Sequence, residues 1–262
     1  MTIDGNKIAK KILNNLKKEI QEKELKLTLA VVWGGDNEIS RVYVEKKKET
    51  AQKIGIGFEL FNFPKEIFQS DLAEKVEEIS QKEDIAGVVI QLPLPSQIDT
   101  DEILKCVSKE KDVEGFVSEN LSPIVLAVEE ILKEYSVFLK DKKIVLVGRG
   151  KLVGQPVAKW LKKQNIDFEV VDKDSQNINK LQEADIIISG AGVPNLIKKN
   201  MVKEGVVIID AGTCKVDGKT VGDVDFKNVC DKAQCITPCI GGIGPVTVAC
   251  LFKNLVKINL KI

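Results

Sequence analysis

Short apolar runs alternate with amphipathic helical segments along this chain, and the alternation limits its possible folds to the α/β class. LTLAVVW (27–33) is followed by a helical pattern over 40–53, and AGVVIQL (86–92) is almost continuously apolar. An uninterrupted apolar run is typical of a parallel strand that is covered on both faces. Repeated βα units predict parallel sheets with right-handed crossovers. Because the chain has 262 residues, it is long enough for two such lobes.

A glycine-rich turn follows the apolar run KIVLV and precedes another helical segment. Its glycines are Gly148, Gly150 and Gly154, in the pattern GxGxxxG. Such glycines let the backbone approach a pyrophosphate, whose charge meets the positive end of the next helix. A tight turn without a ligand is the alternative. Asp172 ends the following strand, where a carboxylate can hydrogen-bond an adenine ribose and favour NAD; the adjacent Lys173 weakens that preference.

A second candidate site lies in SRVYVEKKKE (40–49). Tyr43 and Lys47 are four residues apart and share one helix face. Gln91 ends an apolar strand, and a buried glutamine needs hydrogen-bond partners. An amide beside a lysine in a partly dry site can orient the amine, while desolvation lowers the lysine pKa. The lysine could then act as a general acid or base. A solvated basic face is the alternative.

The composition excludes several functional classes. Because the chain contains no histidine, it can form neither a Ser/His/Asp catalytic triad nor a Cys/His catalytic pair, and it has no histidine ligand for zinc. Its 39 Lys and Arg residues balance 39 Asp and Glu, unlike the basic excess of nucleic-acid-binding proteins. The six cysteines form no CxxC pair, so free thiols and no metal site are expected. The first twenty residues lack the apolar core of a signal peptide or membrane span, which predicts a cytoplasmic protein with no membrane partner.

Seven segments of the chain closely resemble, in the same order, the signature segments of the bifunctional methylenetetrahydrofolate dehydrogenase/cyclohydrolase family. They are YVEKKKE (43–49), GVVIQLPLP (87–95), KDVEGF (111–116), VGRGKLVGQP (147–156), VIIDAGT (207–213), VGDVDF (221–226) and TPCIGGIGPVTVA (237–249). The resemblance implies a folate-binding α/β catalytic domain, discontinuous over 1–121 and 246–262. It also implies a Rossmann-type NAD(P)-binding domain over 122–245, an active-site cleft between the two domains, and a homodimer.

The resemblance further implies an activity and a set of site residues. The enzyme would oxidise 5,10-methylenetetrahydrofolate to the methenyl form with NAD(P)⁺ and hydrolyse that product to 10-formyltetrahydrofolate. Lys47 would be the catalytic lysine, Tyr43 would stack on the folate, and Gln91 would tune the lysine. The other implied residues bind folate (Glu114, Gly241, Gly242, Pro245) or the dinucleotide (Gly148, Arg149, Gly150, Gly154, Asp172, Lys173, Thr213). NADP is the cofactor that the family more often uses, and Asp172 keeps NAD possible.

The chain also departs from the family's pattern. Glu114 stands where the family has Asp, Gly150 stands where it usually has Ser, and the connector between Gly115 and Pro123 is shorter than usual. Three alternatives stay open on these grounds. The chain could be a monofunctional dehydrogenase, a non-catalytic folate- or dinucleotide-binding relative, or an unrelated Rossmann oxidoreductase.

Overall fold

The structure is a computed structural model that describes residues 1–172 and 178–260, without the side chains of Ile39 and Ile178. The chain divides into two compact units. Unit 1 consists of Met1–Ala9 and Ile124–Thr247, and unit 2 consists of Lys10–Pro123 and Val248–Ile262. The first nine residues, predicted to belong to the catalytic domain, lie in unit 1. There Ile3 is fully buried and its N–H donates to the carbonyl of Ile236.

Unit 2 is built around three strands, β1 (Thr28–Gly34), β2 (Gly57–Phe63) and β3 (Gly87–Gln91), which form a parallel sheet in the order β2-β1-β3. Alternate residues of β1 and β3, such as Val32 and Ile90, point into an apolar core, so that Gln91 points to the opposite face. The helices are α2 (Glu38–Ile54), α3 (Gln69–Gln81), α4 (Thr100–Lys105) and a 3₁₀ helix (Lys109–Lys111).

Unit 1 contains the strands β4 (Ile144–Val147), β5 (Glu169–Val171), β6 (Ile186–Ser189), β7 (Val207–Asp210), β8 (Cys214–Val216), β9 (Lys219–Val221) and β10 (Cys235–Ile236). Five of them form a parallel sheet in the order β10-β7-β6-β4-β5, and β8 and β9 form an antiparallel hairpin. Its helices are α5 (Pro123–Glu134), α6 (Gly154–Lys163), α7 (Phe226–Val229) and two 3₁₀ helices (Ile178–Gln182, Lys199–Met201). Helices α1 (Gly5–Glu22) and α8 (Ile243–Asn259) each contribute residues to both units.

The predicted α/β architecture with parallel sheets is confirmed, whereas some local boundaries differ. The helix predicted over 40–53 extends over Glu38–Ile54, and helix α8 begins at Ile243. Pro245 therefore lies inside its first turn, where a missing N–H breaks no intrahelical hydrogen bond. The β8-β9 hairpin was not predicted, because its three-residue strands are too short and polar to show an apolar period. No helix in the described part of the chain is long and apolar enough to span a membrane.

Candidate active site

A buried hydrogen bond in unit 2 joins Lys47 of α2 to Gln91 at the end of β3. Lys47 Nζ donates to Gln91 Oε1 at 2.7 Å, and both side chains are more than nine-tenths buried. The Gln91 amide is oriented by a second hydrogen bond, from its Nε2 to the carbonyl of Leu92 at 2.8 Å. Because that bond occupies the amide nitrogen, the amide oxygen faces the lysine. The sequence-predicted pair is therefore brought together.

Burial shifts the proton affinity of two groups in this site in opposite directions. Desolvation lowers the pKa of Lys47 below its ordinary value of 10.5, although the nearby Glu114 partly opposes this effect. Desolvation also raises the pKa of Glu114 from 4.5 to about 7, with a smaller contribution from Asp112 and an opposing one from Lys47. A lysine and a carboxyl group that both exchange protons nearer to neutrality are suited to acid–base chemistry.

The loop that carries Glu114 is held by a buried carboxylate, Asp112, which no sequence motif singled out. Asp112 accepts hydrogen bonds from the backbone N–H groups of Glu114, Gly115, Val117 and Ser118, at 2.8–3.2 Å. Four donors converging on one carboxylate fix the path of the loop between the 3₁₀ helix Lys109–Lys111 and α5. The position of Glu114 is thus set by Asp112 as well as by its own contacts.

Asn254 of α8 is a second anchor of this loop that the sequence did not reveal. Its side-chain amide donates to the carbonyls of Val113 and Leu121 at 2.9 and 2.8 Å. Asn254 is buried in a predominantly apolar helix. An asparagine among the apolar residues of this helix is the signal that could have found it, since a buried amide requires partners.

Tyr43 lies one helical turn before Lys47 on α2 and is partly exposed. Its ring can therefore meet a ligand that also reaches the lysine, as the shared helix face predicts. One turn earlier, the buried Ser40 donates its hydroxyl to the carbonyl of Leu92 at 3.4 Å, which ties the start of α2 to the end of β3. The structure thus gathers Tyr43, Lys47, Gln91 and Glu114 within unit 2.

The glycine loop of unit 1 has the geometry required for close approach to a dinucleotide. Gly148 has φ +95°, and a Cβ there would lie 2.9 Å from Ala191 Cα. A Cβ at Gly154 would lie 2.2 Å from the Gly148 carbonyl oxygen. Positions 148 and 154 of the loop between β4 and α6 therefore have no room for a side chain, whereas a Cβ at Gly150 would have more space. At the start of α6 the N–H groups of Gln155 and Val157 donate to the carbonyls of Gly150 and Val153, so the glycines provide the close approach to a ligand.

Asp172 and Arg149 form an ion pair beside this loop. Arg149 Nε lies 2.6 Å from Asp172 Oδ2, and the Arg149 side chain is largely exposed. A carboxylate at the end of β5 can bind a ribose hydroxyl, and a guanidinium beside it can bind a ribose phosphate. Lys173 lies outside the described residues.

The remaining predicted residues are at other positions in unit 1. Thr213 is exposed just beyond the carboxyl end of β7. Gly241 has φ +77° and its carbonyl accepts the N–H of Gly5 at 2.9 Å. A Cβ at Gly242 would lie 2.1 Å from the Pro238 carbonyl oxygen, so this turn needs glycine for packing. Pro245 lies in the first turn of α8.

The cysteines and acidic groups of the described chain show no metal centre. All six cysteines are free thiols. Among the described residues, no group of three or more Cys, Asp and Glu side chains is placed to hold a metal ion.

Comparison with protein-family models matches both parts of the chain. Residues 3–114 match the model described as "Tetrahydrofolate dehydrogenase/cyclohydrolase, catalytic domain". Residues 123–261 match "Tetrahydrofolate dehydrogenase/cyclohydrolase, NAD(P)-binding domain".

Individual proteins give the same result. The chain is 42% identical to "Bifunctional protein FolD" of Nautilia profundicola over 98% of this chain and 96% of that protein. It is 38% identical to the Hydrogenobaculum protein of that name, over 97% of each. The crystal structure of the Campylobacter jejuni bifunctional enzyme FolD is similar with a TM-score of 0.93 and 33% identity, over 100% of this chain and 99% of that one. The Trypanosoma brucei enzyme, complexed with NADP and inhibitor, has a TM-score of 0.93 and 30% identity, over 100% of this chain and 97% of that one.

Proposed function

Because the chain belongs to the tetrahydrofolate dehydrogenase/cyclohydrolase family, we propose how its own residues carry out the two reactions of that family. The protein is a bifunctional enzyme. It oxidises 5,10-methylenetetrahydrofolate to 5,10-methenyltetrahydrofolate with a nicotinamide dinucleotide, and it hydrolyses the methenyl compound to 10-formyltetrahydrofolate. The matches over the whole chain favour this function over an unrelated Rossmann oxidoreductase.

The single observation that carries the residue assignment is the buried hydrogen bond between Lys47 and Gln91. Since desolvation lowers the pKa of Lys47, a larger fraction of its amine is neutral near physiological pH than in an exposed lysine. Gln91 Oε1 accepts one N–H of that amine and so directs the nitrogen lone pair away from the amide. The lysine is thereby prepared to accept a proton from water.

Hydrolysis of the methenyl bridge needs a base and then an acid, and Lys47 supplies both. The neutral amine removes a proton from the water whose oxygen attacks the bridge carbon. The resulting ammonium group gives a proton to the folate nitrogen that leaves when the carbon–nitrogen bond breaks. The bridge carbon remains as the formyl group on the other nitrogen, and one proton is released overall when the methenyl cation and water react.

The oxidation step uses the same residues for positioning. When bound, the dinucleotide supplies the nicotinamide ring that accepts a hydride from the methylene carbon. Tyr43 provides an aromatic face for the folate, and the Glu114 carboxylate can accept hydrogen bonds from the pterin amino group. A neutral Lys47 does not repel the positive charge that the bridge acquires as hydride leaves.

Substitution of Lys47 tests this assignment. Lys47→Met removes the amine and leaves an unbranched apolar side chain one atom shorter, so hydrolysis of methenyltetrahydrofolate should fall by about 100-fold or more. The measurement is the decay of methenyl absorbance in the presence of enzyme. Lys48→Met, in the exposed neighbouring residue of α2, is the matched control and should retain the rate. Hydrolysis at the wild-type rate in Lys47→Met would remove Lys47 from the mechanism.

The choice of dinucleotide is a finer proposal. We infer NADP as the preferred cofactor, because Arg149 lies beside the Asp172 carboxylate and can place its guanidinium against a 2′-phosphate. Asp172 keeps NAD possible. Steady-state oxidation of methylenetetrahydrofolate with each dinucleotide tests this, and Arg149→Ala should raise the KM for NADP more than that for NAD. An equal effect on both would contradict the proposal.

The remaining assignments complete the proposal. We propose that Tyr43, Lys47, Gln91 and Glu114 of unit 2 carry the proton transfer and part of the folate binding, and that Gly148, Gly150, Gly154 and Thr213 of unit 1 bind the dinucleotide. The glycine turn of 241–242 and Pro245 stay proposed folate contacts. A homodimer is proposed from the family resemblance, and sedimentation of the purified protein tests it. The cytoplasmic location expected from the sequence stays a prediction.

A further inference from the structure

Two buried aspartates at the carboxyl edge of the unit 1 sheet have no part in the chemistry described above. Asp210 ends β7, and Asp223 follows the β8-β9 hairpin; Asp223 is fully buried and Asp210 nearly so. Removing a carboxyl group from water is costly unless donors compensate it. The partners of each carboxylate therefore indicate what it holds in place.

Asp223 holds the loop that follows β6. Its Oδ2 accepts the hydroxyl of Ser189 at 2.6 Å and the backbone N–H of Ala191 at 2.7 Å, and its Oδ1 accepts the N–H of Val193 at 2.9 Å. All three donors lie between the last residue of β6 and the end of the loop 190–193. One side chain thus fixes both the start and the direction of this loop.

The loop 190–193 in turn packs against the glycine loop of the dinucleotide site. A Cβ at Gly148 would meet Ala191 Cα at 2.9 Å, and a Cβ at Gly190 would meet the Val153 side chain at 2.5 Å. Because these contacts leave no room for even a methyl group, a shift of one loop must displace the other. Val193 is also about half exposed at this edge, which leaves its apolar side chain open to a ligand.

Asp210 holds the segment that carries Asp223. It accepts the N–H groups of Gly212, Asp223 and Val224 at 2.9–3.2 Å. The two ends of the hairpin fit these carboxylates closely. A Cβ at Gly212 would lie 2.1 Å from Asp223 Oδ1, and a Cβ at Gly222 would lie 2.2 Å from Asp210 Oδ2. The hairpin is therefore fastened at both ends to the edge where the glycine loop lies.

We propose that Asp223 is a positioning residue for dinucleotide binding: by holding the loop 190–193 against Gly148, it fixes the shape of the pyrophosphate-binding turn. The proposal rests on the proposed function, since it assumes that this turn binds NAD(P). Asp223 acts through the loop and does not touch the reacting atoms. Its removal should weaken dinucleotide binding and leave hydrolysis, which is assigned to unit 2, unchanged.

The test compares Asp223→Asn with Asp185→Asn. Asparagine has the same shape as aspartate but presents an NH₂ group to backbone donors, so at least one of the three hydrogen bonds is lost. Asp185 lies at the opposite end of β6, where its carboxylate accepts the Lys143 N–H and the Lys203 ammonium at 2.8 and 2.7 Å. It is a matched control, because it loses comparable bonds away from the loop.

Binding is measured by titrating each protein with NADPH and with NADH and following the fluorescence of the reduced nicotinamide. We expect Asp223→Asn to raise the Kd for the preferred dinucleotide at least tenfold and Asp185→Asn to change it less than twofold. Methenyl hydrolysis should remain within twofold of wild type in both. Wild-type affinity in Asp223→Asn would overturn the proposal. A parallel loss of hydrolysis would indicate general unfolding, and a milder variant then decides.

A milder variant covers the case in which Asp223→Asn does not fold. Ser189→Ala removes one hydroxyl donor and should raise the Kd roughly threefold, as expected for one hydrogen bond; an unchanged Kd would overturn the proposal. If the wild-type protein binds neither NADPH nor NADH, the proposed function fails together with this inference. If the wild type binds and Asp223→Asn binds equally well, only the positioning role fails.

Discussion

Replacing Glu114 by glutamine should make unit 2 more stable and the enzyme less active. The pKa of Glu114 is raised from 4.5 to about 7, chiefly by burial. A carboxyl group with a raised pKa binds its proton more tightly in the folded state. The free energy of unfolding therefore falls as the pH rises from 4.5 to 7, and it stays at the lower value above pH 7.

The size of the effect follows from that difference in pKa. The free energy of unfolding that is lost because the buried Glu114 must ionise is about 3 kcal/mol at pH 8 and about 1 kcal/mol at pH 5. The glutamine of the variant carries no charge at any pH, while its amide oxygen can still accept the hydrogen bond that Ile90 gives to Glu114. Glu114→Gln should therefore gain up to about 3 kcal/mol at pH 8 and much less at pH 5. Folate turnover should fall, because the carboxylate proposed to hold the pterin is gone.

The two tryptophans of the chain allow a clean measurement. Trp33 lies in β1 of unit 2 and Trp160 lies in α6 of unit 1. In a Trp160→Phe background, urea unfolding followed by fluorescence reports unit 2 alone. Glu119→Gln, an exposed carboxylate in the same loop, is the control and should change the stability by less than about 0.5 kcal/mol. An equal gain at pH 5 and pH 8, or no gain at pH 8, would refute the reasoning.

Three further predictions follow from the same contacts. Hydrolysis should accelerate as the pH rises through the lowered pKa of Lys47, since only the neutral amine accepts the proton from water. If the pH–rate profile of Lys47→Met showed the same increase in rate, the assignment would be contradicted. Asp112→Asn should destabilise unit 2 by roughly 2–4 kcal/mol and weaken both activities, because four backbone donors lose a charged acceptor, and urea unfolding measures this. Asp172→Ser should raise kcat/KM for NADP relative to NAD, since the serine no longer repels a 2′-phosphate; an unchanged ratio would exclude Asp172 from the cofactor site.

Several elements of the fold could be predicted from local sequence. The apolar runs over 27–33 and 86–92 match β1 and β3 to within one residue at each end, and the helical pattern over 40–53 matches α2 to within two, because the periodicity is strong in these segments. The glycine loop was recognisable because its three glycines lie between a buried strand and a helix. Tyr43 and Lys47 could be paired because helix geometry alone places residues four apart on one face.

The sequence by itself determined the parallel α/β class, the glycine loop and the residue types available for proton transfer, since these depend on local periodicity and composition. Only the tertiary structure decided that Gln91, forty-four residues away, accepts the Lys47 hydrogen bond in a dry interior. It also showed the donors that surround Asp112 and Asp223, which look like ordinary loop aspartates in the sequence. Their roles depend on burial and on backbone donors that converge only after the chain folds, and no local pattern encodes that convergence.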